Sequence, residues 1–147
     1  MLLLSIRPEY VEKILCGEKR VELRRQRPRC QPNDLIAIYS STPEKLLVGV
    51  ARINEVRVNS PECLWHDVRA FAGISRPAFF DYFTGADKAV GLMITNVVPL
   101  LTPVTLDDLR TEWPGFHPPQ GFRYLTASQI DFVLRNLDSP MPDRVTA

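Results

Sequence analysis

The feature that most constrains the fold of this chain is the uneven spacing of its strand-forming runs. Apolar, β-branched segments fall at Leu2–Ile6, Leu35–Ser40, Leu46–Val58 and Ala89–Val98, with helical patterns between only some of them. A doubly wound parallel sheet needs a helix in every connection, and this order does not supply one. Long strands with few, irregularly placed helices predict an α+β domain whose mixed or antiparallel sheet curls into a small barrel flanked by short helices. At 147 residues the chain fits one domain, long enough to bury roughly 68–70% of its unfolded surface without disulfides or metals.

Local signals fill in the rest. Pro8 suits the first position of a helix, Val11, Ile14 and Leu15 give it an apolar stripe, and Gly17 ends it. Arg20–Arg25 alternates, with Val21 and Leu23 on one face and Arg20, Glu22 and Arg24 on the other. Gly49 marks a bulge or bend inside the long strand. Residues 61–71 and 77–84 read as two helices, an insert at about 60–85. Pro99 to Pro119 reads as loop with one short helix near Leu106–Glu112, and a last helix covers Gln129–Leu137. The reading is a single domain over 1–137 and a flexible tail over 138–147.

Composition excludes more than it assigns. Three widely spaced cysteines without a CxxC pattern read as reduced thiols in a cytoplasmic protein. The two histidines stand at no metal-ligand spacing with cysteine, so neither a metal nor another cofactor is expected. No apolar run approaches the ~20 residues that span a bilayer, so no membrane partner is expected. The net charge of +1 hides an asymmetry: residues 19–29 hold six basic side chains and one acid, the rest 12 basic and 16 acidic. Such a patch attracts anions at short range, although basic residues also serve simply to protect an edge strand.

Inside that patch lies GEKRVELR, residues 17–24. Glu22 and Arg24 share a strand face, and Lys19 enters from the turn before it. A carboxylate can fix a guanidinium fork and leave its outer donors for a phosphate, but a surface ion network has the same spacing. On the first reading Arg24→Ala abolishes ligand binding with little change in thermal midpoint.

The pattern GxKxxExR after a strand, a short helix and a glycine resembles the signature of the ASCH domain family, a branch of the PUA-like β-barrel superfamily. The likeness extends to LIAIYSSTPEKLLVGVARI, to the insert and return strand GISRPAFFDYFTGADKAVGLMITNV, and to the closing PPQGFRYL, where Gly121 stands in place of a commoner serine. The resemblance implies a cleft beside the first helix holding Lys19, Glu22 and Arg24, with Arg20 on the same strand. Ser40, Ser41, Arg123 and Tyr124 are further candidates. It also implies an RNA- or nucleotide-like ligand, in a module near transcription or translation. Arginines would neutralise phosphates, and Tyr39 or Tyr124 would stack on a base, unless each is only a barrel aromatic with its hydroxyl at the rim.

Two alternatives follow. Some family members resemble amidohydrolases of modified cytidine that use the signature lysine. Lys19 matches it, but Glu22 stands where those enzymes carry threonine. Others are associated with ribonuclease activity. In either enzyme Lys19 and Glu22 would be the acid–base pair. The third reading concerns LWHDVRAFAGISRPAFFDYF, which has the outline of a helix-turn-helix. Its second helix carries four aromatics and one basic residue, which suits packing, a protein partner or self-association better than a DNA groove.

Overall fold

A computed structural model of the chain describes residues 1–143. Six strands form one sheet: β1 (Leu2–Ile6), β2 (Val21–Arg24), β3 (Leu35–Ser40), β4 (Leu46–Asn59), β5 (Ala89–Thr105) and β6 (Phe122–Tyr124), in the order β2-β5-β4-β3-β1-β6. Only β1 and β3 pair in parallel; the other pairs are antiparallel. The mixed sheet of the sequence reading is therefore present.

Bulges curl it. The β4–β5 ladder shifts register three times, once between Leu47 and Gly49. A side chain at Gly49 would lie 2.8 Å from the Val98 carbonyl oxygen, so glycine lets the two strands cross closely. The curl brings the two edge strands together without a backbone ladder between them. Side chains close the seam. Arg24, on edge strand β2, donates Nη2 to the Ser5 carbonyl of β1 at 3.0 Å and Nη1 to the Gly121 carbonyl, just before β6, at 3.1 Å. Tyr124 of β6 accepts the Arg29 N–H at 2.6 Å and donates to the Arg29 carbonyl at 3.0 Å.

Helices cover the open faces: α1 (Pro8–Leu15), α2 (Pro61–Val68), α3 (Arg76–Tyr82), α4 (Leu106–Glu112) and α5 (Ala127–Arg135). Val11 and Ile14 of α1 join the barrel interior with Leu4, Ile38, Ile53 and Leu92. On the outer side α4 and α5 pack Leu109 and Val133 against Tyr39, Leu47 and Val50. The insert α2–α3 packs Leu64, Val68, Phe79 and Phe83 onto Val21, Leu23 and Met93. The ring of Phe79 lies 5.0 Å from that of Trp65 and 4.8 Å from that of Phe83. Most of the aromatic surface that the sequence offered to a partner is thus used inside the domain.

Two expectations are corrected. The segment after Pro99 is not loop: β5 runs on to Thr105. Its far half has no β2 beside it, since β2 pairs only with Val90–Met93, and prolines are tolerated where no ladder donor is needed. Nor is the chain after 137 free of the body. Asp138 N–H donates to the Pro99 carbonyl, Arg52 Nη2 donates to the Pro142 carbonyl at 2.8 Å, and Met141 packs against the α4–α5 cluster. Residues 144–147 of the expected tail lie outside the described residues. Among the described residues no helix is long and apolar enough to cross a membrane.

Candidate functional site

The seam does not fill completely. A cleft of about 770 Å³ opens between β2, the end of β1, the start of α1, the β3–β4 turn, α3 and residues 118–120. Of the residues singled out in the sequence, Lys19, Glu22, Arg24, Tyr39 and Ser41 line it, together with others that were not candidates for the site: Arg7, Tyr10, Thr42, Lys45 and Tyr82.

Lys19 is 2% exposed. Three consecutive carbonyls of the α2–α3 connection fix it and its surroundings: Phe71 accepts the Arg20 N–H, Ala72 accepts Lys19 Nζ, and Gly73 accepts Lys13 Nζ at 3.0 Å. Gly73 has φ +60°, and a Cβ there would lie 2.7 Å from the Lys19 Cβ, so the lysine stem runs through space only glycine leaves. Lys19 Nζ also sits 5.0 Å from the centre of the Tyr10 ring. Burial lowers the Lys19 pKa, and the Glu22 charge partly opposes this.

Glu22 accepts the Leu23 N–H on Oε1 at 3.1 Å, and the same oxygen is 3.8 Å from Arg24 Nε. Its Oε2 is buried and has no partner among the described residues. Tyr39 is in the same condition: the residue is 1% exposed and its hydroxyl has no partner. Burial raises the pKa of Tyr10, Tyr39 and Tyr82, so all three phenols keep their protons at neutral pH. Tyr82 donates to the Leu23 carbonyl at 3.3 Å. On the β3–β4 turn Lys45 has φ +54°, with its N–H on the Ser41 carbonyl and its own carbonyl accepting Leu106 N–H. That turn is therefore set by both sheet and α4.

Other predicted residues lie elsewhere. Arg20 places its guanidinium 5.0 Å over the Phe71 ring. Ser40 is buried and donates to Glu44 at 2.8 Å. Arg123 stacks 5.3 Å over Phe116, and Tyr124 is the seam residue described above. None of these four lines the cleft. Arg24 does, with one N–H of each terminal nitrogen on a backbone carbonyl and a buried Nε that has no hydrogen-bond partner among the described residues. Among the described residues no three His, Cys, Asp or Glu side chains gather as metal ligands would.

Comparison with known proteins agrees with this architecture. The family model described as the ASCH domain matches residues 4–93. An ASCH domain-containing ribonuclease of Zymomonas mobilis is 31% identical over 122 residues, 83% of this chain and 82% of the relative. The crystal structure of ASCH from Zymomonas mobilis superposes with a TM-score of 0.88 at 27% identity, covering 95% of this chain and 96% of the other. Variants of that protein with a tyrosine-to-phenylalanine or a serine-to-alanine change each give 0.87. The N-terminal domain of McrB from Staphylothermus marinus, at 13% identity, 90% and 91% coverage and a TM-score of 0.57, shares the fold. The chain belongs to the ASCH domain family.

Proposed function

We propose that the cleft binds single-stranded RNA and cleaves it, with Glu22 and Tyr39 exchanging the protons. The observation that carries this reading is the pair of buried, unpartnered oxygens, Glu22 Oε2 and the Tyr39 hydroxyl, in the lining of one cleft. Buried polar atoms without partners cost stability, and where two of them line one cleft a ligand that bonds both would remove that cost. A carboxylate can only accept and a neutral phenol can donate, so the two offer the complementary halves of acid–base catalysis.

In this reading Glu22 takes the proton of a ribose 2′-hydroxyl, whose oxygen then bonds to the adjacent phosphorus. The bond from phosphorus to the 5′-oxygen breaks, and that oxygen takes the Tyr39 proton. The products are a 2′,3′-cyclic phosphate and a 5′-hydroxyl; water restores both groups. Lys19 uses one of its three N–H donors on Ala72 and keeps two for the charge that builds on phosphorus. Arg7 and Lys45 add positive charge to the lining. The ribonuclease name of the Zymomonas relative supports the reaction class, and the solved tyrosine-to-phenylalanine variant of the Zymomonas protein draws attention to a phenol. The same cleft without turnover would be the RNA-binding module expected from the sequence.

The test is incubation of pure protein with labelled single-stranded RNA, with and without a chelator, and identification of the new ends. Glu22→Gln and Tyr39→Phe are each expected to lower the cleavage rate by 10²–10⁴-fold while RNA still binds. Binding with no cleavage by the unmodified protein leaves a recognition module. Cleavage that survives both substitutions removes these residues from the chemistry.

A further inference from the structure

The arginines that follow β2 take no part in the cleft lining, yet their loop is firmly built. Pro28 is buried. At one end Arg25 Nη1 donates to the Tyr82 and Thr84 carbonyls at 2.8 and 2.9 Å, which fixes it to the end of α3, one wall of the cleft. At the other end both backbone groups of Arg29 are held by the Tyr124 hydroxyl of β6, the strand that continues from residues 118–120 of the opposite wall. The loop therefore starts on one wall of the cleft and finishes beside the other.

Beyond Arg25, the Arg27 and Arg29 side chains make no hydrogen bond among the described residues. Arg25, Arg27 and Arg29 are exposed, Gln26 and Pro28 carry no charge, and none of the three arginines forms an ion pair among the described residues. Three guanidinium groups within five residues and without a carboxylate partner make a concentrated positive charge that an anion can neutralise. A pre-ordered row of arginines beside a nucleic-acid cleft suits successive phosphates, since the ordering entropy of the backbone is met on folding.

We infer that residues 25–29 form a second contact, outside the cleft, for the phosphate backbone of a strand whose reacting step lies in the cleft. This rests on the RNA reading above and deepens it: the bound strand extends beyond the cleft, which a mononucleotide or a free nucleoside cannot do. The contact carries no base preference, because guanidinium–phosphate pairs fix register and not sequence.

The experiment is fluorescence anisotropy with random-sequence 2′-O-methyl RNA, which lacks the reacting hydroxyl, as a trimer and as a 12-mer. Arg27→Gln/Arg29→Gln is compared with the unmodified protein from 50 to 200 mM salt. Arg25 is left in place because it also holds α3. The double variant is expected to bind the 12-mer about 20-fold more weakly at 0.1 M salt, with a salt slope flatter by about 1.4, two contacts at ~0.7 each. Trimer affinity and thermal midpoint stay unchanged. If the trimer binds but the double variant leaves the 12-mer affinity and slope unaltered, the second contact is overturned and the cleft reading stands. If neither RNA binds the unmodified protein, the cleft reading fails and takes this one with it.

Discussion

Arg24 and Tyr39 line the same cleft and are used in different ways. Arg24, the most obviously anion-seeking member of the motif, has its terminal nitrogens on the carbonyls of Ser5 and Gly121. Tyr39, which pattern reading leaves equally open to a core role, holds a buried hydroxyl with no partner among the described residues. The difference teaches that charge is a poor guide to chemistry here. A guanidinium with five donors can tie three chain segments across a barrel seam even with its Nε left unpartnered, while Tyr39 has a single polar group and leaves it unbonded among the described residues.

The largest expected effect separates activity from stability at Tyr39. Tyr39→Phe should lose 10²–10⁴-fold of cleavage while the thermal midpoint stays level or rises, because removing an unpartnered buried hydroxyl relieves a desolvation cost. A clear fall in midpoint with activity intact would show that the hydroxyl has a structural partner and that the contrast with Arg24 is unfounded. At Arg24 the expectation from sequence is reversed. Arg24→Ala removes two hydrogen bonds from a charged donor, each worth about 1.5–3 kcal/mol, so a loss of about 3 kcal/mol is expected after relaxation. For a chain of this size that is a fall of roughly 6–12 °C in thermal midpoint. An unchanged midpoint with lost binding would restore the ligand role.

Gly73 tests how the insert serves the site. Gly73→Ala forces a Cβ to 2.7 Å from the Lys19 Cβ at a backbone φ of +60°, a strain of about 1–3 kcal/mol. The lysine stem must yield, so RNA affinity should fall together with stability. Gly85 is the control: it also has positive φ, but a Cβ there meets nothing within 4 Å. Gly85→Ala should therefore lower stability without touching affinity. Equal loss of affinity in both would mean that the insert acts through folding alone and does not position Lys19.

Much of this was readable from residues, and the failures have specific causes. The first four strands, the start of β5, the bend at Gly49 and the short helix at Leu106–Glu112 follow from local pattern and match; the three-residue β6 gives no such pattern and was not read. A strand's two-residue period puts Glu22 and Arg24 on one face, and Lys19 reaches the same cleft from the turn before β2. The role of Arg24 was not readable, because its partners Ser5 and Gly121 lie 19 and 97 residues away. Tyr82 was read only as one of four aromatics suited to packing or to a partner. Helix period alone cannot say that α3 packs Phe79 and Phe83 against β2 and leaves Tyr82 for the cleft. Lys45 left one faint signal, the Thr-Pro-Glu-Lys turn that follows Tyr39. The extension of β5 through two prolines was hidden because its missing neighbour, beyond the end of β2, is a fact of topology.

The smallest effect concerns the buried ammonium itself. Lys19 has its pKa lowered below the ordinary 10.5 by burial, so between its folded value and 10.5 the unfolded chain binds more protons. In that window stability contributed by this group rises with pH, and below it the full cost of burying the charge is present. Lys19→Met removes the titration while keeping most of the stem. The other alkaline groups are common to both chains, so the difference in unfolding free energy isolates Lys19. That difference, unmodified minus Lys19→Met, should shift in favour of the unmodified protein as pH is raised from 8 toward 10.5, by denaturant titration at each pH. A flat difference would mean that Lys19 is as well solvated by Ala72, Glu22 and Tyr10 as it is by water. The cleft would then hold its lysine without the destabilisation that marks a group kept ready for a substrate.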